Sequence, residues 1–341
     1  MLEVIEQALN RLCDRQDLDA ELMRAVVSAF MRGEAREVEV AAVLTALRVK
    51  GESIDEIVGA ARAMVEHATP IVTQRTGVID TCGTGGDQLH TFNISTTTAF
   101  VVAAAGVPVA KHGNRSVSSS SGAADVLEAL GVNIQLGADG VGRCVREIGL
   151  GFCFATLLHG AMKHVGPIRK QLKFRTIFNL LGPLTNPARA EYQLLGTGRI
   201  ENAEKLAYAL AQLDRKRACV VCGAGHLDEV SLWGTTTAYE VTNQQVQPHS
   251  WTAQDFGLAE CRPEELKVSS PEESATIVRG ILSGRRGPAR DIVLANSAVA
   301  LWVAGAAPDL RQGVEIAAAA VDSGKADGVL QKLIAGTRDF A

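Results

Sequence analysis

Residues 81–131, TCGTGGDQLHTFNISTTTAFVVAAAGVPVAKHGNRSVSSSSGAADVLEALG, constrain the fold more than any other stretch of the chain. Three polar, glycine-rich connections are set between apolar runs, each where a strand-like run gives way to a helix-like one. A helix start leaves backbone N–H groups unpaired, and glycine lets a ligand come close to the backbone, so connections of this kind bind phosphate. In GTGGD, Gly83 to Asp87, the acid can cap the turn or hold a ribose hydroxyl or a hydrated metal. In NIST, Asn93 to Thr96, short amide and hydroxyl groups crowd a helix start, which suits capping or phosphate oxygens. In KHGNR, Lys111 to Arg115, a cation, a glycine and an amide follow the strand-like run VPVA. Three such connections in one short stretch point to a site for phosphate and sugar.

Around that stretch the pattern changes twice. Residues 1–70 read as four helices, near 2–14, 18–31, 36–49 and 53–67, the last opened by Ser53, with no strand signal between them. From Val78 onward short β runs alternate with helical patterns. The β runs are 78–80, 107–110, 152–158, 192–197, 218–224 and a candidate at 237–241; the helices are near 95–105, 122–130, 138–148 and 201–213. This alternation predicts an α/β fold with a mostly parallel sheet flanked by helices. The tail returns to Ala-rich helix at 272–283, 287–305, 311–322 and 325–336, and 242–270 reads as loop. With 341 residues, 47% of them hydrophobic, the chain can bury a large core, as a small helical domain (1–70) and a larger α/β domain (75–341).

The net charge is −4 and the charges are interspersed, so there is no broad attraction to nucleic acid or anionic lipid. No uncharged apolar run is long enough to span a membrane and the N-terminus has no signal-type apolar core, which makes the cytosol the expected compartment. Seven cysteines, an odd number, argue against a complete disulfide framework. Cys219 and Cys222 form a CxxC inside the apolar run ACVVCGAG. Residues three apart on a strand face opposite ways, so packing is their expected role, as it is for Cys82. Neither HExxH, nor a P-loop, nor the dinucleotide fingerprint GxGxxG occurs.

The order of these motifs resembles the anthranilate phosphoribosyltransferases, nucleoside-phosphorylase-like transferases of tryptophan biosynthesis. The resemblance continues through SSSSGAADVLEALG (118–131), LHGAMK (158–163), RTIFNLLGPLTNP (175–187) and GHLDEVS (225–231). It implies transfer of the phosphoribosyl group of 5-phosphoribosyl 1-diphosphate (PRPP) to the amine of anthranilate. The fold it implies is a small helical domain, including a returning segment near 165–185, beside a larger α/β domain, commonly in a homodimer joined through the helical domains.

Residue by residue, the resemblance sets PRPP against Gly83, Gly86, Asp87, Thr91, Asn93, Ile94, Ser95, Thr96, Lys111, His112, Gly113, Asn114, Arg115, Ser119 and Ala123. It sets anthranilate against Gly83, Asn114, His159, Arg169, Gly182 and Pro183, and a pair of Mg²⁺ ions against Ser95, Asp228 and Glu229. Lys111, Arg169 and Asn114 carry the reaction in this reading. A lysine at a glycine turn serves as a point charge for phosphate, and the planar fork of arginine suits a carboxylate. Displacement at an anomeric carbon needs no protein nucleophile, and no clear general base is seen. The family often has HPAMK preceded by FAP, where this chain has Gly160 and Thr156, a departure that bears on the acceptor channel. A pyrimidine nucleoside phosphorylase, a transferase using another acceptor, and a non-catalytic nucleic-acid-binding relative stay open as alternatives.

Overall fold

Four helices open the chain: α1 (Glu3–Cys13), α2 (Ala20–Met31), α3 (Glu37–Lys50) and α4 (Ile54–Glu66). Their starts follow from local chemistry. Asp19 accepts the N–H of Leu22 at the head of α2, and Ser53 and Glu56 form a reciprocal capping box at the head of α4. Glu56 is fully buried, yet it also receives the Leu18 N–H and the Lys50 ammonium, which meets its remaining acceptor needs. These four helices share one apolar core with Ile168, Ile177, Phe178, Leu180 and Leu181, so the segment that returns near 165–185 packs among them.

The computed structural model describes residues 1–116 and 121–340. Beyond the helices the chain alternates as β1 (Ile79–Gly83), α5 (Ile94–Ala104), β2 (Val109–Gly113), α6 (Ala123–Ala129), α7 (Ala138–Glu147) and β3 (Leu150–Phe154). Two short helices, α8 (Ala155–Leu158) and α9 (Gly166–Leu172), lead to α10 (Phe178–Leu181), and then β4 (Tyr192–Gly196), α11 (Ile200–Ala211) and β5 (Arg217–Cys222) follow. The hairpin β6 (Thr236–Thr242) and β7 (Gln245–Trp251) precedes α12 (Pro271–Leu282), α13 (Pro288–Val303), α14 (Leu310–Asp322) and α15 (Lys325–Asp339). The strands form one sheet in the order β3-β2-β1-β4-β5-β6-β7, parallel from β3 to β5 and antiparallel at β6 and β7.

Alternate residues of the central strands enter different cores. Leu194, Cys219 and Val221 face the core built with α5, α12 and α13, whereas Leu195, Ala218, Val220 and Cys222 face the core shared with the N-terminal helices. The cysteines of the CxxC therefore lie on opposite faces of β5, as the period of a strand requires. The order of strands reverses between β1 and β4, and in open α/β sheets the crevice at the strand C-termini beside such a reversal is the usual ligand site.

Two expectations fail here. The run 152–158 is strand only to Phe154, because the chain leaves the sheet there and coils into α8, burying Leu158. The stretch 242–270 is not all loop. Asn243 and Gln244, both with positive φ, make a two-residue turn into β7, a polar edge strand that tolerates Pro248 because its far side has no strand partner. Among the described residues no helix is long and apolar enough to cross a membrane.

Candidate active site

A cavity of about 920 Å³ opens at the C-terminal ends of β1 and β2. One wall comes from the sheet: the loop after β1, the start of α5, the end of β2, and Asp228–Glu229 after β5. The other comes from residues 155–185 and from Met64 of α4. Of the residues singled out in the sequence, all but Thr96 and Ser119 line this cavity; Thr96 is buried behind Ser95, and Ser119 lies outside the described residues.

The sheet wall depends on two glycines. A Cβ on Gly196, at the end of β4, would stand 1.6 Å from the Asp228 carbonyl oxygen, and one on Gly83, at the end of β1, 2.5 Å from its carboxylate. Only bare backbone at these neighbouring strand ends lets the Asp228 segment lie across them. The Gly85 N–H then donates to Asp228 Oδ2 at 2.8 Å. The loop itself runs through left-handed backbone at Gly85, Gly86, Gln88 and His90, and strain of this kind collects at ligand sites. Asp87 accepts the Leu89 N–H, which closes the turn.

Burial, then the neighbouring Asp87 carboxylate, push the Asp228 carboxyl up to about 7. Glu229 is also raised, by burial and then by Asp228, against the opposing pull of Lys111 and the Ser95 N–H. The wall thus holds more carboxylate than its own cations can neutralise. Among the described residues no three His, Cys, Asp or Glu side chains form a ready-made metal cage. Hard oxygen donors crowded with negative charge still suit a cation that takes one or two carboxylates and fills its shell with water and phosphate, which is how Mg²⁺ binds.

Lys111 is only 3% exposed, so it is no solvated surface lysine. Its ammonium donates to the Thr81 carbonyl at 2.5 Å and to Ser95 Oγ at 3.0 Å, and burial pulls its pKa down. Asn93 caps α5 by accepting the Thr96 N–H at 3.0 Å, and its amide donates to the Ser121 carbonyl. The Thr96 and Ser121 hydroxyls are buried with no partner among the described residues, and Ser121 lines the cavity. Ile94, Thr91, Gly113 and Ala123 contribute backbone and small side chains to the lining. Arg115 also lines the cavity, and its guanidinium is held by Glu128 and Asp125 of α6, which raise its pKa.

The opposite wall is nearly free of such compensation. Arg169, on α9, stands 5.3 Å from the Phe178 ring centroid, and burial alone lowers its pKa, with no charged neighbour acting on it. A desolvated guanidinium over a ring gains about 2 kcal/mol, still less than burying an unpaired charge costs, so the site favours an incoming anion. His112 Nδ1 lies 2.9 Å from the Gly182 carbonyl, and His112 Nε2 lies 3.2 Å from His159 Nε2. Burial brings His112 down to about 3 and His159 to about 4, so the pair is neutral and ties β2 to the Gly182–Pro183 turn. Asn114 Oδ1 accepts the Thr156 hydroxyl at 3.1 Å, so the residue that replaces the family's proline there holds Asn114.

Ser121, Lys163, Lys170 and Arg175 also line the cavity, although the sequence does not single them out as site residues. Arg175 stands at the head of RTIFNLLGPLTNP, but its reach is a matter of tertiary structure.

Comparison with known proteins agrees with this geometry. Residues 75–327 match the model of the glycosyl transferase family a/b domain, and residues 6–68 match that of the glycosyl transferase family helical bundle domain. The chain is 49% identical over 334 residues to anthranilate phosphoribosyltransferase of Chromobacterium violaceum, covering 98% of each. It superposes with a TM-score of 0.92 on the crystal structure of the Thermus thermophilus enzyme of that name, at 41% identity, covering 97% of this chain and 99% of that one. The Saccharomyces cerevisiae enzyme in complex with PRPP and Mg gives a TM-score of 0.91 at 27% identity, covering 99% of each chain. The same yeast enzyme in complex with 4-fluoroanthranilate gives 0.88 at 25%, covering 98% of each. The chain belongs to the anthranilate phosphoribosyltransferases of the glycosyl transferase family, and is a pentosyltransferase.

Proposed function

We propose that this cavity transfers the 5-phosphoribosyl group of PRPP to the amine of anthranilate and releases diphosphate, a step of L-tryptophan biosynthesis. The observation that carries the proposal is one cavity with two unlike walls. The sheet wall presents a glycine loop, a helix start and crowded carboxylates, and the helical wall an unpaired guanidinium beside an aromatic ring. The yeast relative binds PRPP and Mg, and it binds an anthranilate analogue.

In the reaction the bond from ribose C1 to the diphosphate oxygen breaks with its electron pair staying on diphosphate. The bond from C1 to the anthranilate nitrogen forms, and the amine proton goes to solvent. Asp228 and Glu229, with the Ser95 hydroxyl, would hold a pair of Mg²⁺ ions, which when bound neutralise charge on the diphosphate. Gly83, Gly86, Asp87, Thr91 and Asn93 to Thr96 cradle the diphosphate and ribose. Lys111 holds Ser95 in place from below while adding positive potential. Residues His112 to Arg115 and Ala123, with Ser119 outside the described residues, complete the PRPP side. Arg169 grips the anthranilate carboxylate, Asn114 orients the amine, and His159, Gly182 and Pro183 bound the ring. No side chain takes the proton: the histidine pair is neutral and already hydrogen-bonded, and an aromatic amine is neutral at pH 7. Positioning and stabilisation of the departing charge supply the rate.

In this reading residues 1–70 with the return at 165–185 form one lobe, residues 75–341 form the other, and substrates enter between them. The protein works as a homodimer in the cytoplasm.

The test is anthranilate fluorescence on mixing the protein with PRPP and Mg²⁺, repeated with EDTA. Decay that needs both PRPP and metal, with diphosphate released, is expected. No decay while PRPP still binds would move the assignment to another acceptor, with pyrimidine nucleosides tried next.

A further inference from the structure

Arg175 crosses the cavity. It belongs to the helical wall, between α9 and α10, where its backbone is pinned on both sides. Lys173 ends α9 in a left-handed conformation, the Thr176 N–H donates to Asn179 Oδ1 at 2.9 Å, and Ile177 is fully buried in the helical core. The side chain nevertheless reaches the sheet wall. A Cβ on Gly86 would lie 2.5 Å from Arg175 Nη1, so the guanidinium rests directly on the phosphate-type loop. Gly86 is left-handed, with φ +78°, which is a second reason for glycine there.

Among the described residues Arg175 has no hydrogen bond or ion pair, and the N–H groups of Gly86 and Asp87 donate to no protein acceptor. The charges near it sharpen the point. Arg199 and Arg48 act on it with like charge, and Asp228 with opposite charge, whereas no charged group acts on Arg169. An unpaired guanidinium set against bare backbone N–H groups, with further positive charge nearby, forms a site for a multiply charged anion. A single carboxylate is already served by Arg169 at the aromatic wall.

We propose that Arg175 is a binding residue for the diphosphate, both within PRPP and as released product, supplied by the helical wall to the loop of the sheet wall. The proposal rests on the phosphoribosyl-transfer reading above. The Arg175 fork is able to take two oxygens of a diphosphate, with Asp228 and Glu229 left to hold the cation that would accompany it.

The experiment is calorimetric titration of the full chain with inorganic diphosphate and Mg²⁺, in wild type, Arg175→Ala, Arg175→Gln and Arg175→Lys, beside KM values for both substrates. Loss of a charge-assisted hydrogen bond predicts diphosphate binding weaker by about 10- to 100-fold in Arg175→Ala and Arg175→Gln, with a like rise in the KM for PRPP. The KM for anthranilate stays within about twofold, since the lost contact lies at the other wall. Arg175→Lys recovers part of the loss, because it keeps the charge without the fork. Unchanged diphosphate affinity in folded Arg175→Ala and Arg175→Gln overturns the assignment, as does a rise confined to the KM for anthranilate. If wild type fails to consume anthranilate, the transfer reading falls, while the diphosphate titration still decides the role of Arg175.

Discussion

On the sheet wall, Asp228, Glu229, Asp87 and Lys111 are linked through Ser95 and the glycine loop, whereas on the helical wall Arg169 stands over Phe178 with no charged partner. The sheet wall is over-supplied with charge and waits for a cation. The helical wall is cationic, lined by Lys163, Arg169, Lys170 and Arg175, with His159 kept uncharged by burial. A donor that carries many negative charges and a metal suits the first, and a planar acceptor with one carboxylate suits the second. Unlike walls let one cavity bind two substrates without either occupying the other's place.

The largest effect should come from breaking the sheet wall at its base. Gly196→Ala puts a Cβ into the Asp228 carbonyl and displaces both metal-side carboxylates, so kcat/KM for PRPP should fall by at least about 100-fold, the scale of losing metal assistance. Anthranilate binding, followed by fluorescence titration, should survive. Equal loss of both would mean that the walls are not separable.

Next comes the helical wall. Arg169→Ala should weaken anthranilate binding by about 10- to 100-fold, the worth of a charge-assisted hydrogen bond, and leave diphosphate affinity unchanged by calorimetry.

Titration sharpens the contrast further, because the walls respond oppositely to pH. The folded-state pKa of Asp228, about 7, lies above the ordinary carboxylate value of about 4. Its contribution to stability is therefore full below about 4 and is lost as pH rises through about 7. A bound cation reverses that loss, so the gain in Tm on adding Mg²⁺ should be larger at pH 8 than at pH 6. His112 and His159 are depressed below the ordinary imidazole value of about 6.5. Their contribution is present above about 6.5 and is lost as pH falls toward 4 and then 3, so His159→Asn should flatten the acid limb of a Tm profile.

The smallest effect belongs to Thr156→Ala. Losing its hydrogen bond to Asn114 should raise the KM for anthranilate by about 2- to 10-fold, and that for PRPP by less, since Asn114 stands between the two substrates.

The two walls were also unequally legible in the sequence. Gly83 to Arg115 is nearly one continuous segment, in which strand ends, glycine turns and the Asn93 cap are local features, so most of the sheet wall could be read directly. Gly196 could not, because its need for glycine arises only where β4 lies beside β1 and Asp228 crosses both. The helical wall is assembled from residues 155–185 folded back onto α2 and α4. Family motifs pointed to His159, Arg169 and Gly182, but nothing local in RTIFNLLGPLTNP says that Arg175 reaches Gly86. Arg115 shows the opposite side of this: its pairing with Asp125 and Glu128 of the next helix is a tertiary feature that the glycine turn beside it does not reveal. The strand β7 stayed hidden because an edge strand can be polar throughout, with Val246 and Trp251 its only strong β signals.

The most direct test of two independent walls is a double-mutant cycle on the two substrates, with KM for PRPP and for anthranilate measured in wild type, Lys111→Ala, Arg169→Ala and the double variant. Lys111→Ala should raise the KM for PRPP alone and Arg169→Ala that for anthranilate alone. The double variant should show both changes, additive within about 0.5 kcal/mol. Comparable rises in both constants from either single substitution would contradict it.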